Sequence, residues 1–119
     1  MLEFLLEAFG YCLPKGMTNI WRLLYTPPSS GAWNMAVDEA ILEHIHRGES
    51  QPTLRLYAWE PACLSLGHAQ SFADVDMKRV KERGWEVVRR VTGGRAILHT
   101  DELTYSVTGS ANEIGRAHV

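Results

Sequence analysis

The spacing of apolar and polar residues predicts most of the strands. Residues 53–59 read TLRLYAW, with Leu54 and Leu56 on one side and Arg55 and Tyr57 on the other. Such alternation is typical of a half-buried strand. Shorter runs rich in branched and aromatic residues predict further strands over residues 20–26, 62–67, 85–90, 95–99 and 102–109.

Two stretches have helical signals instead. Asn34 is predicted to cap a helix that runs to about Arg47. The apolar residues of this helix recur at the spacing of one face: Ala36, Val37, Ala40, Ile41 and Ile45. Asp74 or Asp76 is predicted to cap a second helix. Two helices among five or six strands predict an α+β domain, with a mixed, largely antiparallel sheet and flanking helices.

Composition indicates a single domain and limits its possible partners. The chain has 119 residues, of which 45% are hydrophobic and 22% charged, and its formal net charge is −2. General nucleic-acid binding needs a strongly basic face, so this class is excluded and any anion site must be local. Two cysteines, Cys12 and Cys63, are too few for a disulfide framework or a metal site. We expect a cytoplasmic protein without membrane attachment.

Neither end of the sequence continues these patterns. Residues 1–16 are apolar but carry Glu3 and Glu7, and they lack the basic leader and cleavage site of a signal peptide. They form either an extension before a true start at Met17 or a short N-terminal helix. Residues 113–119 have no cap or periodicity, and a DNA string that encodes them matches a sequencing-library adapter. We expect this tail to be non-native, and residues 17–112 to be a domain that is incomplete at its C-terminus.

The segment RRVTGGRAILH, residues 89–99, carries most of the functional information. Gly93 and Gly94 let a ligand approach the backbone closely, and N–H groups in such turns can bind anions. Arg89 and Arg90 alternate at a strand end, so only one of them faces a given pocket, where it would suit a phosphate or carboxylate. A plain hairpin turn with solvated arginines is the alternative. A Walker A loop does not fit, since no Gly-Lys-Ser/Thr follows, and a Rossmann fingerprint does not fit, since a strand rather than a helix comes next.

Three segments together resemble the lipoate–protein ligase A family, which shares its catalytic domain with biotin protein ligases and octanoyltransferases. The segments are WNMAVDEAIL, LRLYAWEPACLSLGHAQ and VVRRVTGGRAILHTDELTYSV. The resemblance implies transfer of a lipoyl or octanoyl group onto one lysine of a lipoyl domain. The ligases activate lipoate with ATP, and with Mg²⁺, as lipoyl-adenylate. The octanoyltransferases need neither, and pass octanoate from acyl carrier protein through a cysteine thioester.

The resemblance also implies a site for the acyl-adenylate or the acyl chain. Its expected members are Arg90, Gly93, Gly94, Arg95, Ala96, Ile97, Leu98 and His99. Expected partners are acyl carrier protein and the lipoyl domains of 2-oxoacid dehydrogenase complexes or the glycine cleavage H protein. No catalytic residue is assigned, because the family's lysine and cysteine lie beyond this sequence and neither Cys63 nor Lys78 matches them. The chain alone is therefore expected to be inactive.

Two departures from the ligase pattern leave the activity open. Arg95 stands where ligases have a third glycine, and His99-Thr100 stands where they have His-Asp. A lipoate–protein ligase is the first interpretation, and an octanoyltransferase that uses a downstream cysteine is the alternative. A non-catalytic module that binds a short acid is a third possibility. A biotin protein ligase is disfavoured by the residues ELTYSV at 102–107.

Overall fold

The computed structural model describes residues 20–114, so the predicted extension at 1–16 and most of the predicted tail lie outside the described residues. The elements are β1 (Arg22–Tyr25), α1 (Gly31–His46), β2 (Thr53–Tyr57), β3 (Cys63–Leu66), a 3-10 turn (Phe72–Asp74), α2 (Met77–Glu82), β4 (Glu86–Arg89), β5 (Ile97–His99), β6 (Thr104–Thr108) and α3 (Ala111–Ile114). Each predicted strand is present, shorter by one or two residues at one or both ends. Asp76, one of the two predicted caps, precedes α2.

Two three-stranded sheets form the framework. In the first, β2 pairs parallel with β1 and antiparallel with β6; in the second, β3 pairs parallel with β4 and antiparallel with β5. The predicted α+β class with mixed strand pairing and flanking helices is confirmed. Since β4 and β5 lie on opposite edges of β3, residues 90–96 cross the end of β3. The alternative of a plain hairpin turn is therefore wrong.

The first helix begins earlier than predicted. Ser30 is its N-cap, and the Ser30 hydroxyl accepts a hydrogen bond from the Trp33 N–H at 3.2 Å. Asn34 lies inside the helix and is fully buried, and its amide donates to the carbonyls of Ser29 and Ala58 at 3.2 and 3.0 Å. The predicted cap was wrong because a buried asparagine that bonds to backbone carbonyls has the same sequence signal as a capping residue.

The buried face of α1 differs in part from the predicted one. Ile41 is buried, and Val37 and Ile45 are partly buried, but Ala36 and Ala40 are exposed. The inner face is rotated because it also carries polar residues that bond to the first sheet. Among residues 20–114, no helix has the length and apolar character to span a membrane.

The β2 strand is covered on both faces, whereas its alternation predicted one open face. Arg55 is 0% exposed. Its guanidinium donates to the backbone and side-chain oxygens of Asn34 at 3.0 and 2.8 Å, and to the Asp38 carboxylate at 2.9 Å. Asp38 also accepts from the hydroxyls of Tyr57 and Ser106. A buried cation requires such partners, and this network fixes α1 against β2 and β6.

Candidate functional site

A groove of about 660 Å³ lies between α1, β6 and the loop of residues 90–96. Much of its lining is apolar, including Met35 and Leu42 of α1, Trp59 after β2 and Ile97 of β5. Asp38 also lines the groove, but its carboxylate is already engaged with Arg55. A concave apolar lining of this size can bury a hydrocarbon chain.

Seven of the eight predicted site residues line this groove. They are Arg90, Gly93, Gly94, Arg95, Ala96, Ile97 and His99. Leu98 does not, because side chains alternate along β5 and its neighbours Ile97 and His99 face the groove. The structure therefore brings most of the predicted residues together, and their binding of an acyl group stays a prediction.

Arg90 holds the glycine turn against β3. Its Nη1 donates to the carbonyl and the hydroxyl of Ser65, at 2.8 and 2.7 Å. Its Nη2 donates to the carbonyls of Gly93 and Arg95, at 3.0 and 2.8 Å. These four bonds use all the hydrogens on the two terminal nitrogens. Arg90 therefore shapes the loop, and a ligand anion would have to displace one of these contacts.

Arg89 turns to the opposite side of the sheet. It donates to the carbonyls of Gly67 and His68 at 3.0 and 3.1 Å, and its guanidinium lies 4.8 Å from the centre of the Phe72 ring. Of this pair, only Arg90 lines the groove. The prediction that one of the two arginines faces a given pocket is confirmed.

The glycine turn leaves backbone donors unused. Three of its carbonyls accept bonds from Arg90 and from the N–H of His68. Within the part of the chain that the structure describes, the N–H groups of residues 92–95 donate to no protein acceptor, and the exposed Arg95 side chain has no protein partner. N–H donors beside a cation can bind an anion or a developing oxyanion.

The turn also packs directly on the end of β3. A Cβ atom added to Gly67 would lie 1.8 Å from the carbonyl oxygen of Gly94, which no side chain can tolerate. Gly94 has φ +96°, a conformation that other residues rarely adopt. Gly93 has open space around it. The close approach therefore depends on Gly67 and Gly94.

His99 is a buried wall of the groove. Its ring stacks on Trp59 with centroids 4.1 Å apart and an interplanar angle of 10°. His99 Nε2 lies 2.7 Å from the Ser65 hydroxyl, and Nδ1 lies 3.1 Å from a carboxylate oxygen of Glu102. Since both nitrogens are engaged, a ligand would meet the surface of the ring rather than a free nitrogen.

Sequence reasoning missed the groove residues outside the arginine–glycine segment. They are Met35, Asp38, Leu42, Tyr57 and residues 104–108. One signal was available, because Met35, Asp38 and Leu42 are spaced to share a helix face. Nothing local in the sequence shows that β6 lies beside that face.

Cys63 is not a nucleophile in this structure. The side chain is fully buried, and burial together with the nearby Glu86 carboxylate raises the pKa of the thiol to about 12. The thiolate is the reactive form, so this cysteine acts as a small buried hydrophobe. Among residues 20–114, no group of three or more His, Cys, Asp or Glu side chains could hold a metal ion.

Comparison with known proteins identifies the family. The sequence profile described as lipoyl protein ligase A/B catalytic domain matches residues 30–118, and the chain belongs to this family. Octanoyltransferase LipM of Exiguobacterium sibiricum is 52% identical over 92 residues, which are 76% of this chain and 33% of the relative. Seven further relatives with that name are 48–56% identical. The chain spans about a third of the length of these relatives.

Solved structures share the fold. A T. acidophilum protein with bound lipoic acid has a TM-score of 0.62 and 33% identity, over 76% of this chain and 37% of that one. The structure of a bipartite lipoate protein ligase and its E2 lipoyl domain from Thermoplasma acidophilum has a TM-score of 0.59 and 31% identity, over 75% of this chain and 35% of that one. The structure of lipoate-protein ligase A bound with ATP has a TM-score of 0.55 and 32% identity, over 76% of this chain and 36% of that one.

Proposed function

We propose that this chain is part of an octanoyltransferase, which moves an octanoyl group from acyl carrier protein to a lysine of a lipoyl domain. The observation that carries the proposal is an apolar groove whose lining includes residues 92–95, the residues with unused N–H groups. Such a groove suits a hydrocarbon chain whose carbonyl lies at the turn. The relatives named octanoyltransferase are 48–56% identical to the chain, whereas the ligase structures are 31–32% identical, which favours the transferase over the ligase.

The proposed reaction consists of two acyl transfers. A cysteine thiolate attacks the thioester carbonyl of the octanoyl carrier, forms a new thioester and releases the carrier's thiol. The lysine amine of the lipoyl domain then attacks that thioester, forms an amide and releases the cysteine thiol. Each step passes through an oxyanion, which the N–H groups of the turn and Arg95 would stabilise. The buried Cys63 cannot supply the thiolate, so we assign the nucleophile to residues outside 20–114.

A lipoate–protein ligase is the second candidate, because a neighbour of the same fold is solved with ATP. In that reaction ATP and Mg²⁺ convert the free acid to an acyl-adenylate, and the same N–H groups and Arg95 would contact its phosphate. The acceptor would again be a lipoyl domain, on a 2-oxoacid dehydrogenase complex or the glycine cleavage H protein.

One assay separates these candidates. The full-length protein is incubated with a lipoyl domain and either octanoyl-acyl carrier protein without ATP, or octanoate with ATP and Mg²⁺, and the mass of the lipoyl domain is measured. We expect octanoylation from the carrier without ATP, and none of a lipoyl domain whose acceptor lysine is changed to arginine. Modification only from the free acid with ATP would establish the ligase. Binding of octanoate without either transfer would indicate a non-catalytic module.

A further inference from the structure

A series of hydrogen bonds connects residues in and behind the wall of the groove, and it begins and ends at a donor. It joins Trp59, Thr104, Glu102, His99, Ser65 and Arg90 in that order, with distances of 2.7, 3.1, 3.1, 2.7 and 2.7 Å. Its members come from the segment after β2, from β3, from the end of β4 and from the region around β5 and β6. This series of hydrogen bonds therefore connects the two sheets at the wall of the proposed acyl site.

The chemistry of the members fixes the direction of each proton. The Trp59 indole and the Arg90 guanidinium can only donate, and the ionised Glu102 carboxylate can only accept. His99 must therefore carry its proton on Nδ1, which faces Glu102. In the neutral ring, Nε2 is then an acceptor, so the Ser65 hydroxyl donates to it while accepting from Arg90. Each of these groups has a partner of the right kind.

Ser65 connects these hydrogen bonds to the glycine turn, through Arg90. It is 0% exposed, and its hydroxyl and carbonyl oxygens accept both hydrogens of Arg90 Nη1. The other terminal nitrogen of Arg90 holds the carbonyls of Gly93 and Arg95. A change in the orientation of the Ser65 hydroxyl would therefore alter the hydrogen bonds of Arg90 and, through them, the position of the turn.

We infer that Glu102 and Ser65 are positioning residues for the acyl site. Glu102 fixes the tautomer of His99, and His99 orients the Ser65 hydroxyl. Ser65 in turn anchors the Arg90 side chain, which holds the carbonyls of the turn by hydrogen bonds. The N–H groups of the turn are left for the acyl carbonyl. This role rests on the proposed function, but the network itself can be tested without activity.

The first measurement is the tautomer of His99. Long-range proton–nitrogen NMR on the full-length protein distinguishes a protonated Nδ1 from a protonated Nε2. We expect the Nδ1–H form alone in the unmodified protein. In Glu102→Gln we expect a mixture of both forms and shifted amide signals of Gly93 and Gly94. Glu82→Gln, in an exposed glutamate of α2, is the matched control and should change neither signal.

The second measurement is octanoyl transfer at neutral pH. Loss of one hydrogen bond to a charged group lowers kcat/KM for the octanoyl donor by about tenfold. We expect this loss in Glu102→Gln and in Ser65→Ala, with KM for the lipoyl domain unchanged. An Nε2–H ring in the unmodified protein, or Glu102→Gln indistinguishable from Glu82→Gln in both measurements, would overturn the inference. Absence of transfer by the unmodified protein would overturn the proposed function alone, because the NMR signals decide the inference.

Discussion

At the scale of single residues, the two arginines at the glycine turn have different tasks. The terminal nitrogens of Arg90 bond only to Ser65, Gly93 and Arg95, whereas the Arg95 side chain lines the groove without a protein partner among residues 20–114. Arg90 therefore maintains the shape of the loop. Arg95 is the cation that is available to a ligand.

The first prediction separates these tasks. Arg95→Ala should lower kcat/KM for the octanoyl donor by about tenfold, the effect of one lost charge-assisted hydrogen bond, and leave the melting temperature unchanged. Arg90→Ala should lower both, because four hydrogen bonds inside the protein are lost. Steady-state kinetics and thermal unfolding of the two variants provide the test. Equal melting temperatures for both would show that Arg90 does not hold the turn.

The second prediction concerns the contact between the turn and β3. Gly67→Ala should abolish transfer, because the added Cβ meets the carbonyl of Gly94 and displaces the turn. Gly93→Ala should retain near-normal stability and leave the turn in place, since its Cβ meets no protein atom. Activity assays together with amide NMR spectra of both variants measure this difference. A fully active Gly67→Ala protein would contradict the close approach of the two segments.

The third prediction follows from the raised pKa of the Cys63 thiol. In the unfolded chain this thiol ionises near its ordinary pKa of 9.0, whereas the fold holds the proton until about pH 12. The stabilisation is complete below the unfolded pKa and is lost as pH rises through this window, because only the unfolded state releases the proton. Urea unfolding at about pH 8 and about pH 10.5 should therefore show a smaller loss of stability in Cys63→Ala than in the unmodified protein. An equal loss in both proteins would contradict the burial of this thiol.

At the scale of elements, the buried Arg55 joins α1 to the first sheet. Its partners Asn34 and Asp38 both lie on α1, and Asp38 also accepts from Ser106 of β6. α1 and β6 line the groove. The polar network therefore sets the separation of two groove walls.

The fourth prediction tests that network. Arg55→Met should lower the free energy of unfolding by about 3–5 kcal/mol, the usual cost of removing one partner of a buried ion pair. Arg47→Met removes the partner of Glu43 in an exposed pair on the same helix, so it should cost less than about 1 kcal/mol. Denaturant unfolding of both variants gives the comparison. Similar costs would show that the buried network contributes no more than a surface pair.

Elements with clear periodicity could be predicted from the sequence, and their surroundings could not. The alternation around β2 predicted its position, but the burial of Arg55 depends on α1, which is distant in the sequence. The helical spacing predicted α1, but Asn34 gave the signal of a cap. In the groove, Gly93, Gly94 and one of Arg89 and Arg90 could be predicted from their chemistry, and Arg95 from the family resemblance. Ser65 and Glu102 could not, because their roles arise only when β3 and β5 pair.

At the scale of the whole molecule, α1, strands of both sheets and the glycine turn line an apolar groove. The family match and the fold agree on a catalytic domain of the lipoyl protein ligase A/B type. The chain spans about a third of the length of its relatives. The acyl site that we propose lies within residues 35–108, and the nucleophile that we propose for the transferase lies outside the described residues. Binding of the acyl chain is thus the part of the proposed function that these residues can test.

The most direct test of this account is a titration of the nitrogen-15-labelled protein with octanoate, followed by NMR. We predict saturable shifts of the amide signals of Gly93, Gly94 and Ala96, which line the groove. The signals of Gly48 and Gly84, which follow α1 and α2 away from the groove, should stay in place. Shifts confined to Gly48 and Gly84, or no saturable shift at the glycine turn, would contradict the assignment of this groove as the acyl site.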